Sequence, residues 1–277
     1  MVFILDIVAY IILGACSGLL SGLLGIGGGI IVVPALVVIL QHNPLFKDAH
    51  LMHISVGTSL ATMVMTSLSS ALAYQRHHAL VWPIFWRMLP GLCGGLVAGK
   101  LLTTHLSNDI LAHILAVFLV LIAAYLFWNA QHSPRTTAPN VLSYSNAPFT
   151  VKHPWLLVAA SAMIGVLSTL VGVGGGVLMV PLFLMMNLSI REASGTSVLC
   201  GIVTALTGAL LLSMTPLQSP LPGMIGYIYW PAALGIASSS FIFAPLGTRL
   251  AYALNPIMRK RLFSILLILS AWNLLRN

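Results

Sequence analysis

Gly18-Leu-Leu-Ser21-Gly-Leu-Leu-Gly25-Ile-Gly27-Gly28-Gly29, with Pro34 following, is written a second time as Gly165-Val-Leu-Ser168-Thr-Leu-Val-Gly172-Val-Gly174-Gly175-Gly176, with Pro181 following. The offset is 147 throughout. Each copy sets a cluster of glycines and then a proline inside an apolar run. Glycine permits the φ > 0 of a sharp break, and proline interrupts the hydrogen-bond ladder of a helix. Both copies therefore read as broken helices at matching places in two halves of one chain.

Composition agrees with a buried, apolar setting. The chain is 59% hydrophobic and 6% charged, with a mean hydropathy of +1.03. Soluble domains carry roughly 25% charged residues. Apolar runs recur along the whole length, so the fold class is an all-α polytopic membrane protein. The 12 basic residues against 4 acidic ones form no cluster beyond Arg259-Lys260-Arg261. Basic membrane loops explain that balance better than a nucleic-acid partner. The run Leu13-Gly14-Ala15-Cys16 looks like a lipoprotein cleavage box, but no basic residue precedes it and a signal peptide needs one. Residues 2–24 are read as a retained membrane segment. Cys16, Cys93 and Cys200 lie in apolar runs without CxxC spacing and read as buried, inert thiols.

Ten apolar elements follow: 2–24, 29–41, 54–73, 80–102 and 110–129, then 155–171, 176–188, 194–213, 225–248 and 257–275. The polar stretch 130–154 separates them, giving a first membrane repeat over 1–129, a cytoplasmic linker over 130–154 and a second repeat over 155–277. The repeat reaches past the glycines. Gly57-Thr58-Ser59 returns as Gly195-Thr196-Ser197 at an offset of 138, and Trp82-Pro83 returns as Trp230-Pro231 at 148. The changes of offset fall in loops while the elements keep step, as a duplicated fold requires.

Five elements per half is an odd number, so the halves are expected to sit in the membrane with opposite orientation, as inverted repeats. This holds if 29–41 and 176–188, too short for a full span of ~20 residues, are re-entrant or half helices. With both termini outside, Arg76, Arg135, Lys152, Arg191, Arg249, Arg259, Lys260 and Arg261 fall on the cytoplasmic side. Lys47, Lys100 and Arg276 fall outside, an asymmetry that obeys the positive-inside rule.

The chemistry rests on the helix starts. A helix that begins after a glycine run offers unpaired N–H groups and the positive end of its dipole. Two such starts, Gly27–Gly29 and Gly174–Gly176, facing each other near the midplane with hydroxyls from Ser21, Ser168, Thr58, Ser59, Thr196 and Ser197, would cage a small anion with neutral donors. Glycines can also serve close helix packing, which is the expectation for Gly91, Gly94, Gly95 and Gly99. The dinucleotide pattern G-x-G-x-x-G fails at Ile30. His50 with His53, and His77 with His78, read as loop residues without a metal site. His113, four residues after Asp109, and Arg87 are ionisable groups inside apolar elements. Either could serve an anion or proton path, or reach the interface.

The doubled G-x-G-G-G-x5-P with its downstream Gly-Thr-Ser resembles the sulfite exporter TauE/SafE family of membrane permeases, over nearly the whole chain. The resemblance implies export of a small sulfur-containing anion, such as sulfite or an organosulfonate, across the bacterial inner (plasma) membrane by a multi-pass secondary transporter. The matching positions are Gly25, Gly27, Gly28, Gly29 and Pro34, then Gly172, Gly174, Gly175, Gly176 and Pro181, with Thr58, Ser59, Thr196 and Ser197. An anion channel and a carrier of a non-sulfur organic anion are the alternatives. An enzyme would need a nucleophile, an acid–base pair or a metal set within the spans, and none is legible. A scaffold would have no use for glycine-broken helices. The expected partners are a small anionic substrate and membrane lipid, with a homodimer left open and no cofactor.

Overall fold

The computed structural model describes residues 2–46, 50–103, 154–172, 174–186, 188–215 and 222–253, with scattered residues from 106 to 124 and residue 268. The described chain is almost entirely helical. Its helices are α1 (Val2–Leu24), α2 (Gly29–Gln41), α3 (Leu51–Gln75), α4 (Trp82–Thr103), α5 (Pro154–Val171), α6 (Gly176–Met185), α7 (Ile190–Ser213) and α8 (Trp230–Ala253). A 3-10 turn spans Pro44–Phe46, and a two-stranded antiparallel hairpin, β1 (Met224–Ile225) and β2 (Ile228–Tyr229), leads into α8. Four helices contain stretches long and apolar enough to cross a membrane: Asp6–Leu24, Leu51–Gln75, Ile190–Ser213 and Trp230–Ala253.

Several boundaries depart from expectation for physical reasons. The eighth apolar element begins at Ile190, ahead of 194, because Ser189 and Glu192 form a capping box. The Ser189 N–H and Oγ both donate to Glu192 Oε2, and the Glu192 N–H donates to Ser189 Oγ. The ninth begins at Trp230, beyond 225. Residues 224–229 turn as a hairpin through Gly226 at φ 55°, and Pro231 suits a helix's first turn, where its missing N–H has no partner to lose. The seventh ends at Met185. Most of the elements read at 110–129 and 257–275, and the linker at 130–154 apart from its last residue, lie outside the described residues.

The bundle is apolar outside and rich in hydroxyls within. Ile11, Ile12, Leu72, Trp86, Leu101, Leu210, Leu234 and Ile242 are exposed, while Ser21, Ser55, Thr58, Ser59, Thr66, Ser67, Thr196, Ser197 and Ser240 are buried. Lipid can cover the first set, and backbone groups and other hydroxyls satisfy most of the second, Ser55 and Ser67 being without a partner. Among the described residues no lysine, arginine or carboxylate is buried. Of the three thiols expected to be buried, Cys200 is, Cys93 is half-buried, and Cys16 is exposed on the apolar outer surface of α1.

The closest helix packing joins one half to the other. Gly14, Gly18 and Gly22 of α1 set their open faces on Ile236, Ser240 and Ala244 of α8, and Gly91, Gly95 and Gly99 of α4 set theirs on Val158, Ala162 and Val166 of α5. Spacing of four residues keeps each stripe on one helix face and lets the backbones meet. Gly94 departs from the packing expectation: it is exposed, and a Cβ there would meet nothing within 4 Å. It sits one residue off the 91/95/99 stripe, so it turns away from α5. The long helices α3 and α7 lie against each other through the middle of the bundle, with α2 on α3 and α6 on α7.

Candidate functional site

The glycine runs adopt the backbone their composition allows. Gly25, Gly27 and Gly28 have φ of 74°, 77° and 83°, and Gly172, Gly174 and Gly175 have φ of 70°, 64° and 68°. Left-handed conformation costs an L-residue with a side chain roughly 1–2 kcal/mol at each position. The two breaks share this three-residue pattern, and each opens a short helix: Gly28 caps α2 and Gly175 caps α6, without any side-chain cap. Pro34 and Pro181 lie inside those helices. Among the described residues no carbonyl or side chain takes the N–H groups of Gly27, Gly28 and Gly29.

The breaks are held from the opposite half. Ser197 Oγ of α7 donates to the Gly25 carbonyl, and Ser59 Oγ of α3 donates to the Gly172 carbonyl at 2.9 Å. Thr58 Oγ1 accepts the Tyr229 N–H at 3.0 Å, and Thr196 Oγ1 accepts the Val81 N–H at 3.0 Å. Four of the six hydroxyls predicted to cage a ligand are therefore engaged with backbone, while Ser21 pairs with Ser70 and Ser168 has no partner. The four pin the breaks and the chain ahead of α4 and α8. Close approach follows the same exchange. A Cβ on Gly25 would stand 2.5 Å from Ser194 Cα, and one on Gly172 would stand 2.9 Å from Val56 Cα.

The remaining glycines divide by direction. Gly28 faces Ser17 of α1, and Gly175 faces Ile164 of α5 and Met179 of α6. Gly176 abuts Ile26, so the start of α6 touches the first break. Gly27 and Gly174 face inward. A Cβ on either would collide with Met63 Cε, so this one methyl stands between the two breaks. Met63 is 1% exposed and comes from α3. Ser67, one turn on, has its Oγ 3.3 Å from the positions that Cβ atoms on Gly27 and Gly201 would occupy. Thr204 Oγ1 donates to the Gly174 carbonyl at 2.7 Å. The candidate site is thus Gly27 and Gly174 with Met63, Ser67, Gly201 and Thr204. The first two were legible in the sequence. Met63, Ser67 and Gly201 were not, and their signal lies in comparing the repeats. At the offset of 138, Met63 corresponds to Gly201 and Ser67 to Ala205.

The other ionisable candidates stay away from this centre. Arg87 is exposed on α4. His53 departs from the loop reading: it lies in α3, 5% exposed, with its ring 5.2 Å from that of Tyr227. Burial raises the pKa of the Tyr227 and Tyr229 phenols, so these hairpin hydroxyls stay neutral. Two of the four acids have structural roles. Asp6 Oδ2 accepts Asn43 Nδ2 at 3.1 Å, and Glu192 caps α7. Asp48 and Asp109 lie outside the described residues. No group of three or more His, Cys, Asp or Glu side chains is placed to hold a metal among the described residues.

A family model described as Sulfite exporter TauE/SafE matches residues 10–274. A "Probable membrane transporter protein" of Haemophilus influenzae is 32% identical over 271 residues, covering 95% of this chain and 96% of the relative. The "Probable membrane transporter protein YunE" of Bacillus subtilis is 25% identical, covering 88% of each chain. A relative from Methanocaldococcus jannaschii, also described as a probable membrane transporter, is 27% identical and covers 99% of this chain and 97% of its own. No solved structure matches.

Proposed function

This chain belongs to the sulfite exporter TauE/SafE family and is a membrane transporter, and from that premise we propose that it carries a small sulfur-containing anion, sulfite or an organosulfonate, outward across the bacterial inner membrane as a secondary transporter. The observation that carries this reading is the meeting of two left-handed glycine breaks inside the bundle, each opening a helix, with no fixed charge buried beside them. Helix starts and glycine N–H groups bind an anion without burying a countercharge. A buried arginine would stand as an uncompensated charge whenever the site is empty. No phosphate-cradling glycine loop of the ATP-hydrolysing type is present in the sequence, so any energy for the cycle would come from an ion or proton gradient.

The exchanged contacts support a two-fold relation between the repeats, 1–129 and 155–277, since each hydroxyl lock has a counterpart with the halves interchanged. The odd number of apolar elements in each half is what would lay that axis in the membrane plane and invert the repeats. In such a pair, rocking one half against the other opens the centre to alternate sides. A reporter fused after residue 277 that is active only in the periplasm supports the outside placement of both termini. Activity of a cytoplasmic reporter there refutes it.

The substrate test is anion flux in proteoliposomes holding the full chain, scanning sulfite, thiosulfate, sulfoacetate, sulfate and carboxylates with and without a pH gradient. Saturable sulfite or organosulfonate flux with counterflow is expected. Flux confined to carboxylates would move the assignment to a non-sulfur anion, and unitary conductance steps would make the protein a channel.

A further inference from the structure

We propose that Ser67 donates its hydroxyl to the carried anion at the point where the two breaks meet, and that Met63 is the movable plug whose withdrawal opens this subsite to a compact oxyanion. The proposal rests on the anion-transport reading above.

Ser67 is fully buried, and its Oγ has no hydrogen-bond partner. Most of its neighbours on α3 behave otherwise, and Ser55, which also lacks a partner, is not among the atoms nearest Gly27, Gly174 or Gly201. Thr62 and Thr66 donate to the Ser59 and Thr62 carbonyls, Ser69 donates to the Phe241 carbonyl, and Ser70 pairs with Ser21. A helix serine has a carbonyl of its own preceding turn within reach, so a buried one that leaves it has a hydroxyl to spare, and Ser67 differs from the equally unpartnered Ser55 and Ser168 in facing the glycines of the first break and of α7. Ser67 Oγ lies against the open faces of Gly27 and Gly201, at the centre and away from the lipid. An anion accepts from a hydroxyl and from glycine N–H groups alike, and it gains more from each than a neutral acceptor does.

The duplication sharpens the point. The second repeat carries Ala205 where the first has Ser67, and Gly201 where the first has Met63. The room beside the Ser67 hydroxyl therefore exists because Gly201 has no side chain. Filling of the gap between the breaks falls to Met63 alone, whose methyl faces both Gly27 and Gly174. Methionine has three rotatable bonds and a terminal methyl that moves without disturbing its backbone. Moving the thioether end aside frees only a few atoms' worth of room, which favours a compact oxyanion over one with an organic tail.

The test uses the full chain in liposomes, with radiolabelled sulfite and sulfoacetate as probes. Ser67→Ala should raise the half-saturation for sulfite about tenfold or more, the loss of one charge-assisted bond, with folded yield unchanged. Ser67→Thr, which keeps the hydroxyl, should recover most of it. Met63→Ala should shift the sulfoacetate-to-sulfite flux ratio upward about tenfold. A second arm needs no transport. In a chain whose Cys16, Cys93 and Cys200 are replaced, Ser67→Cys should react with the small anionic reagent sulfonatoethyl methanethiosulfonate at least tenfold faster when Met63→Ala is added. An unchanged half-saturation in Ser67→Ala overturns the anion contact, and equal labelling rates overturn the plug. A wild-type chain that moves none of the scanned anions counts against the transport reading, and the labelling rates then decide the subsite by themselves.

Discussion

The two breaks are held alike and furnished differently. Around Gly25 and Gly172 every lock is doubled: Ser197 on one and Ser59 on the other, with Thr196 and Thr58 fixing the chain ahead of α4 and α8. Inward of those locks the match ends. Met63, Ser67 and Ser70 line one side, and Gly201, Ala205 and Gly208 stand at the same places on the other. Fold-holding contacts have kept the duplication, while the groups that would touch a ligand have not. A difference between otherwise equal halves is where a function grafted onto the scaffold shows itself.

The largest expected effect tests whether the locks are equivalent. Gly25→Ala and Gly172→Ala each place a Cβ on a left-handed residue and against backbone of the opposite half. Both should abolish the monodisperse fraction recovered in detergent, to a similar degree. Full recovery of one alone would break the comparison. Next come Thr58→Val and Thr196→Val, which leave the buried Tyr229 N–H and the part-buried Val81 N–H without their acceptor. Each should cost roughly 1–3 kcal/mol, read as a similar fall in thermal midpoint for the two variants.

A smaller effect sharpens the contrast. Ser21 pairs with Ser70 at 3.3 Å, but its counterpart Ser168 faces a half whose residue 208 is glycine and has no partner. Ser21→Ala should cost about 1 kcal/mol, whereas Ser168→Ala should cost nothing or stabilise slightly. Equal losses would mean that Ser168 has a partner of its own. The smallest effect belongs to Gly94→Val. With open space at its Cβ, it should leave the thermal midpoint within the range of ordinary surface changes, about 0.5 kcal/mol. Gly95→Val, against the Ala162 carbonyl, should not be recovered folded.

The breaks were legible because glycine clusters inside apolar runs have few other uses, and their recurrence at a constant offset marked both. Helix limits were legible wherever a glycine or a polar loop ended the run, as at Leu24 and Gly29. They were missed where a polar cap extended the helix, as at Ser189, or where apolar residues entered a hairpin, as at Ile225 and Ile228. The roles of Thr58, Ser59, Thr196 and Ser197 were not legible. A hydroxyl serves backbone or ligand according to what the other half brings against it, and only the packed structure supplies that. Met63 and Ser67 were passed over because the search for repeats rewards sameness. The same alignment read for difference singles them out. Gly28 and Gly175 carry the motif, yet they face the packed helices α1 and α5, so variants there report on folding before they report on a ligand.

Selenite is a heavier counterpart of sulfite and scatters anomalously, so a structure of the full chain in its presence tests the central claim most directly. The account predicts an anomalous peak between Gly27 and Gly174, within hydrogen-bond reach of Ser67 Oγ and with Met63 displaced. A peak bound elsewhere, with Met63 still seated between the two breaks, would contradict it.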